Sequence, residues 1–131
     1  MLKTQRESRK SVTILAYHSI HPHIYHPLSV SPAHFEKQLK YIATHCNVIP
    51  LSQLVSDLKC HKTLQENTVA ISFDDGYSDN YEFAFPLLKK YNLPATIFLV
   101  TNYIDKRIKV SPFAQHSLNF KQLEEMSAFK I

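Results

Sequence analysis

Glycine, tryptophan and cysteine are scarce in this sequence. It has one glycine, Gly76, no tryptophan and two cysteines among 131 residues. Turns and helix ends must therefore use Asn, Ser, Asp and the seven prolines. Cys46 and Cys60 lack CxxC spacing, so we expect free thiols rather than a disulfide framework or a cysteine metal site. The 44% hydrophobic and 20% charged residues are ordinary for one globular domain and argue against disorder.

Long apolar runs and basic surfaces are also missing. No run is long enough to cross a membrane, and the charged start leads into only a short apolar stretch at 12–17, so no signal peptide is predicted. These two features favour the cytoplasm. Much of the net charge of +4 comes from the first ten residues, and 1–11 are expected to form a flexible basic tail. A basic face with interleaved aromatics is not seen, so nucleic-acid binding is not expected.

The most informative stretch is 69–77, which reads Val-Ala-Ile-Ser-Phe-Asp-Asp-Gly-Tyr. An apolar run with β-branched residues leads into Asp74 and Asp75 and then into Gly76, the pattern of a buried strand with charge at its end. Two adjacent carboxylates repel each other, and a cation would remove that repulsion. Gly76 would supply a backbone conformation that other residues reach only with strain.

The remaining segments predict strands alternating with helices. Ser31 and Pro32 resemble a helix start, Pro86 predicts a kink or restart, and Asn119 with Gln122 forms a capping-box pattern. The expected elements are a strand at 12–17 buried on both faces, a helix from 32, an extended piece at 48–50, a helix capped by Ser52 with apolar positions Leu54, Val55 and Leu58, a helix after Gly76 capped by Ser78 or Asp79, a strand at 95–100, and a helix burying Phe120, Leu123 and Met126. This order indicates an α/β protein with parallel strands.

Five stretches together resemble the polysaccharide deacetylase family, the carbohydrate de-N-acetylases of carbohydrate esterase family four. Residues 72–76 are similar to its Thr/Ser-Phe-Asp-Asp-Gly motif, and 17–20 resemble the Tyr-His opening of the subgroup that acts on poly-N-acetylglucosamine-type polymers. The likeness continues in order through 35–39, 80–91 and 93–100. It implies that residues 12–131 form an incomplete deacetylase domain, folded as a partial (β/α) barrel that is truncated before closure.

The resemblance also implies roles for the acidic pair. Asp74 would be the catalytic base and Asp75 the ligand of a divalent metal, usually zinc, in hydrolysis of N-acetyl groups on an amino-sugar polysaccharide. The chemistry is consistent, because a metal can bring the pKa of bound water to about 7 and can stabilise the oxyanion that forms. The alternative from the residues alone is a carboxylate pair that caps the following helix.

The second family motif, His-Ser/Thr-x-x-x-His, is not found. His116 and Ser117 begin such a pattern, but Phe120 stands where its second histidine would be. A catalytic zinc normally has three protein ligands, so Asp75 alone should not retain metal, and we expect the isolated chain to have little or no activity. An unclosed parallel sheet exposes apolar surface, so we also expect self-association or a complementing chain.

His18 follows the first strand and is expected to line the substrate cleft, while Tyr77 could lie at its rim or in the core. We expect His21, His23 and His26 to be exposed loop residues. A non-catalytic remnant or carbohydrate-binding module remains the alternative to an enzyme, and an aspartate phosphotransfer domain is disfavoured because no Asp-x-Asp motif is present. Family resemblance gives the cell envelope as the alternative location.

Overall fold

A computed structural model describes residues 12–23, 27–105 and 116–131. The expected basic tail at 1–11 and His26 lie outside the described residues. In chain order the elements are strands β1 (Val12–Tyr17), β2 (Ser19–Ile20) and β3 (Ser29–Val30), helix α1 (Pro32–His45), strand β4 (Asn47–Val48), helix α2 (Leu51–Lys59), strand β5 (Thr68–Phe73), a π-helical turn (Asn80–Ala84), helix α3 (Phe85–Lys90), strand β6 (Thr96–Ile97), a 3₁₀ turn (Thr101–Tyr103) and helix α4 (Phe120–Ser127).

Strand β5 is the centre of the main sheet. All six of its residues are buried, as its mostly apolar sequence predicts. Strand β1 pairs with it in parallel over its whole length, from Val12 opposite Thr68 to Tyr17 opposite Phe73. Strands β4 and β6 are also parallel to β5 and pair with its first and last two residues, respectively. The predicted parallel α/β arrangement is therefore confirmed.

Strand β1 differs from its prediction. It was expected to be buried on both faces, but its residues are half-buried or exposed, and Ile14 is 53% exposed. The reason is that β1 pairs only with β5 and forms an edge of the four-stranded sheet within the described residues. The strand expected at 95–100 is also shorter, because only Thr96 and Ile97 pair with β5, and Phe98 beyond them is 52% exposed.

Two helix starts follow the predicted capping chemistry. Ser31 accepts a hydrogen bond from the His34 backbone with Pro32 at the first helical position, and Asn119 with Gln122 forms the complete capping box. The cap predicted at Ser52 is wrong. Helix α2 begins at Leu51 after Pro50, without a side-chain cap. Of the apolar positions named for α2 and α4, Leu54 and Met126 are buried. Val55, Leu58 and Phe120 are exposed.

The segment after Gly76 confirms the predicted break at Pro86. A π-helical turn ends at Ala84 and α3 restarts at Phe85. Proline has no N–H to continue the helical hydrogen-bond ladder, which explains the restart.

The main core lies between β5, α1 and α3. Phe73 and Phe35 are fully buried with their ring centroids 5.9 Å apart, and Tyr17 packs against both. Leu88 from α3 and Leu39 from α1 belong to the same cluster. These contacts fix the carboxyl end of β5, where the acidic pair begins.

Candidate functional site

The register of two strands brings His18 and Asp74 together. Tyr17 and Phe73 are paired at the ends of β1 and β5, so the next residue on each strand emerges at the same edge of the sheet. The Asp74 N–H donates to the Tyr17 carbonyl over 2.8 Å. His18 Nε2 lies 3.8 Å from Asp74 Oδ2, and the two side chains are 25% and 39% exposed. The pair is therefore in electrostatic contact and open to solvent, without a direct hydrogen bond.

The turn after Asp74 uses two consecutive left-handed residues. Asp75 has φ of +68° and Gly76 has φ of +64°. Gly76 was predicted to adopt such a conformation, but Asp75 was not. Five other described residues besides glycine also have positive φ, Asp105 among them, and Asp adopts this region more readily than most residues, so the φ value alone does not mark a functional site. This turn directs Asp75 away from the β5 ladder and into the loop at the strand end.

Tyr77 lies beside the carboxylate of Asp75. The tyrosine is 6% exposed. Burial raises the pKa of Tyr77 to about 12, with further contributions from its interactions with Asp75 and from the charge of Asp79. The tyrosine therefore stays protonated throughout the physiological range. Its position combines the two expectations, since the ring is in the core and the hydroxyl faces the site.

The acidic pair does not cap the following helix. In the described hydrogen bonds, neither carboxylate accepts from a helix N–H, and Asp79 occupies the cap position without a side-chain cap bond. We therefore predict that Asp74→Asn leaves the free energy of unfolding unchanged or raises it, because it removes a negative charge next to Asp75. If Asp74 capped the helix, the same substitution would instead lower the free energy of unfolding by about 1 kcal/mol. Urea denaturation of the wild type and this variant decides between the two.

A complete metal site is not present among residues 12–23, 27–105 and 116–131. No group of three His, Cys, Asp or Glu side chains there is close enough to hold an ion. Asp75 is a single candidate ligand, whereas a catalytic zinc takes three protein ligands. The described residues alone therefore do not fit zinc.

The other histidines that the sequence singled out do not join the site. The His21 ring lies on His23 and on Phe83, and His26 is outside the described residues. His116 and Ser117 contribute backbone instead of ligands: the His116 carbonyl accepts from the Ser78 N–H, and Ser117 bridges Tyr77 in antiparallel pairing. They brace the turn that carries the acidic pair.

A buried polar cluster next to the site was missed by the sequence reasoning. Asp79, expected only as a possible helix cap, is 3% exposed and accepts a 2.6 Å hydrogen bond from Ser19 Oγ. Asn80 is fully buried and donates to both Asp79 Oδ1 and the His18 carbonyl, over 2.9 Å each. The only sequence signal was the Asn80-Tyr81 pair within the family resemblance. The partner Ser19 lies 60 residues away, out of reach of local patterns.

Burial raises the pKa of Asp79 from 3.8 to about 6, against the opposing hydrogen bonds from Ser19 and the Ile20 backbone; His21 nearby lowers it and Glu82 raises it. The native state therefore binds the Asp79 proton more tightly than the unfolded state. The resulting stabilisation is present at low pH and is lost as pH rises through about 4 to 6. We predict that the free energy of unfolding falls by about 3 kcal/mol over this pH window.

Urea denaturation between pH 4 and 7 measures this effect when wild type is compared with Asp79→Asn. The variant loses stability at every pH, but the part of the pH slope that belongs to Asp79 should disappear. Equal slopes in the two proteins would contradict the assignment.

The fold and site define a class of protein: parallel α/β, with an adjacent acid pair and a histidine at the carboxyl ends of neighbouring strands. Residues 61–130 match the family model described as polysaccharide deacetylase. This chain belongs to the polysaccharide deacetylase family.

Relatives and solved structures agree with this assignment. The chain is 34% identical over 129 residues to YxkH of Bacillus subtilis (strain 168), whose name assigns it to the polysaccharide deacetylases, covering 96% of this chain and 41% of that protein. It is 36% identical over 102 residues to the poly-beta-1,6-N-acetyl-D-glucosamine N-deacetylase of Staphylococcus epidermidis (strain ATCC 35984), covering 75% of this chain and 33% of that one. The chain thus spans less than half the length of these relatives.

The structural neighbours include IcaB from Ammonifex degensii, with a TM-score of 0.79 and 26% identity, covering 91% of this chain and 49% of the other. The deacetylase PplD of Streptococcus pyogenes has a TM-score of 0.73 and 28% identity, and the match covers 90% of this chain and 52% of that one. The predicted partial (β/α) barrel is confirmed, since this chain superposes on about half of each. In the described part of the chain, no helix is long and apolar enough to cross a membrane.

Proposed function

We propose that this chain carries the acidic half of a carbohydrate de-N-acetylase site, which hydrolyses N-acetyl groups on an amino-sugar polymer of the poly-N-acetylglucosamine type. The observation that carries the proposal is the solvent-open pair of Asp74 and His18 next to Asp75, whose carboxylate lies beside the buried Tyr77. Relatives named for deacetylation of poly-beta-1,6-N-acetyl-D-glucosamine support the substrate class. A polysaccharide substrate favours the cell envelope, the alternative location, over the cytoplasm.

Asp74 is the general base in this proposal. Hydrolysis of an acetamide requires water to lose a proton as it attacks the carbonyl carbon, and a carboxylate within hydrogen-bond reach can accept that proton. Asp74 is exposed enough to meet water, and its backbone is fixed by the bond to Tyr17. The protonated base can then return the proton to the sugar nitrogen as acetate leaves. His18, beside it, lines the substrate cleft.

Asp75 is proposed to ligate a divalent metal, with zinc as the expected ion. The buried Tyr77 beside this carboxylate would help to orient it toward that ion. A bound zinc would supply Lewis acidity to the acetamide carbonyl. The described residues furnish one ligand, so a functional site needs ligands from outside them, either in cis or from a complementing chain. Among the described residues, β1 is an edge strand and its Ile14 is exposed, and this surface is proposed to serve such completion or self-association.

A carbohydrate-binding module without chemistry is the second candidate. The observation that favours it is the absence of a three-ligand cluster among the residues that the structure describes. Such a module would bind the same polymer without releasing acetate.

Acetate release from poly-β-1,6-N-acetylglucosamine oligomers tests the two candidates. Because the chain spans less than half of its relatives, the test uses the chain alone and also a chimera in which it replaces the aligned segment of the Staphylococcus epidermidis enzyme. We expect zinc-dependent acetate release from the chimera and little or none from the chain alone. Oligomer binding by a folded chimera that releases no acetate would favour the binding module.

A further inference from the structure

The residues that hold His18 in place lie four or more positions beyond the acidic pair. The His18–Ile20 segment contacts Asp79 and Asn80 at three successive residues. The His18 carbonyl accepts from Asn80 Nδ2, the Ser19 hydroxyl donates to Asp79, and the Ile20 backbone hydrogen-bonds to Asp79. A segment bonded at every residue has little freedom to shift along or away from its neighbour.

The burial of these hydrogen bonds favours a single arrangement of the His18–Ile20 segment. Ser19, Ile20 and Asn80 are fully buried, and Asp79 is 3% exposed. Hydrogen bonds away from water are electrostatically stronger, and each broken one leaves a buried polar group unpaired. The cluster therefore tolerates one arrangement of the His18–Ile20 segment far better than any other.

The orientation of the Asn80 amide follows from its neighbours. Asn80 Nδ2 lies 2.9 Å from the His18 carbonyl and 2.9 Å from the Asp79 carboxylate, both acceptors, so the donor end must face them. Asn80 Oδ1 is left buried without a partner in the described part of the chain.

We propose that Asp79 and Asn80 are positioning residues that clamp the His18–Ile20 segment so that the His18 imidazole stays beside Asp74. The inference rests on the proposed function of Asp74 and deepens it. The clamp connects to the site by a short path: Asn80 fixes the backbone of His18, and His18 Nε2 lies 3.8 Å from Asp74. The clamp itself does not touch the substrate.

The test uses the NMR signals of the His18 imidazole in the full chain, assigned by their loss in His18→Gln. In the wild type, Asp74→Asn should shift these signals, because a charge next to the ring is removed. In Asn80→Asp, which keeps the side-chain shape but replaces the donor by an acceptor facing Asp79, the response to Asp74→Asn should be lost. Ser19→Ala removes one hydrogen bond of the clamp and should reduce the response. It replaces Asn80→Asp in the test if that variant does not fold.

Asn47→Ala is the matched control. Its amide also donates to a sheet-side hydroxyl, that of Thr68, but at the opposite end of β5. The variant should keep the full response of His18. The proposal is overturned if His18 still responds to Asp74→Asn in a folded Asn80→Asp protein, or if His18 shows no response in the wild type. Neither result depends on acetate release, so the proposed function is tested separately.

Discussion

Asp74→Asn in the chimera should lower the rate of acetate release by about 100-fold to 10,000-fold, the usual contribution of a general base. The amide keeps the size of the side chain but cannot accept the proton of the attacking water. Since Asp74 caps no helix, the variant should fold as well as the parent. Rate constants at saturating and limiting oligomer concentrations measure the effect, which should appear in kcat.

The control for this prediction is Glu66→Gln. Glu66 is an exposed carboxylate in the loop before β5, at the opposite end of the strand from Asp74. The substitution makes the same change of charge and should leave acetate release unchanged. Comparable losses in the two variants would indicate a general charge effect and would remove Asp74 from its proposed role.

Gly76→Ala should reduce the free energy of unfolding by about 2–5 kcal/mol. A left-handed conformation costs a residue with a Cβ about 1–2 kcal/mol, and crowding in a packed site adds about 1–3 kcal/mol. Gly76 has φ of +64°, and an added Cβ would lie 2.6 Å from Leu99 Cδ2 and 3.9 Å from Leu118 Cδ1. Urea denaturation of the full chain gives the change directly.

A double-mutant cycle separates the two contributions to this loss. In a Leu99→Ala background the clashing methyl group is absent, so Gly76→Ala should cost less, and the remainder is the backbone strain. An equal cost in both backgrounds would show that the Leu99 contact plays no part. No cost in either would contradict the left-handed turn.

The fold was predictable where local pattern and burial agree. Strand β5 is mostly apolar and buried throughout, and the caps at Ser31 and Asn119 satisfy orphan backbone groups of their own helices. The prediction for β1 failed because its apolar sequence does not reveal which of its faces other elements cover. Ile14, for example, is apolar but 53% exposed.

The site was predictable in part. That His18 and Asp74 share an edge follows from parallel strands ending together, which the apolar runs before them suggest. The clamp was not predictable, because Asp79 and Asn80 follow a turn and read as ordinary helix-start residues, while their partner Ser19 is distant in sequence. The left-handed conformation of Asp75 was not predicted, because the neighbouring Gly76 is the residue type that adopts this conformation most readily.

The zinc content of two chimera variants after identical dialysis tests the division of roles within the acidic pair most directly. If Asp75 binds the metal and Asp74 moves the proton, Asp74→Asn should retain stoichiometric zinc while losing acetate release, and Asp75→Asn should lose the zinc itself. Equal zinc retention by both variants, or equal loss, would contradict the account.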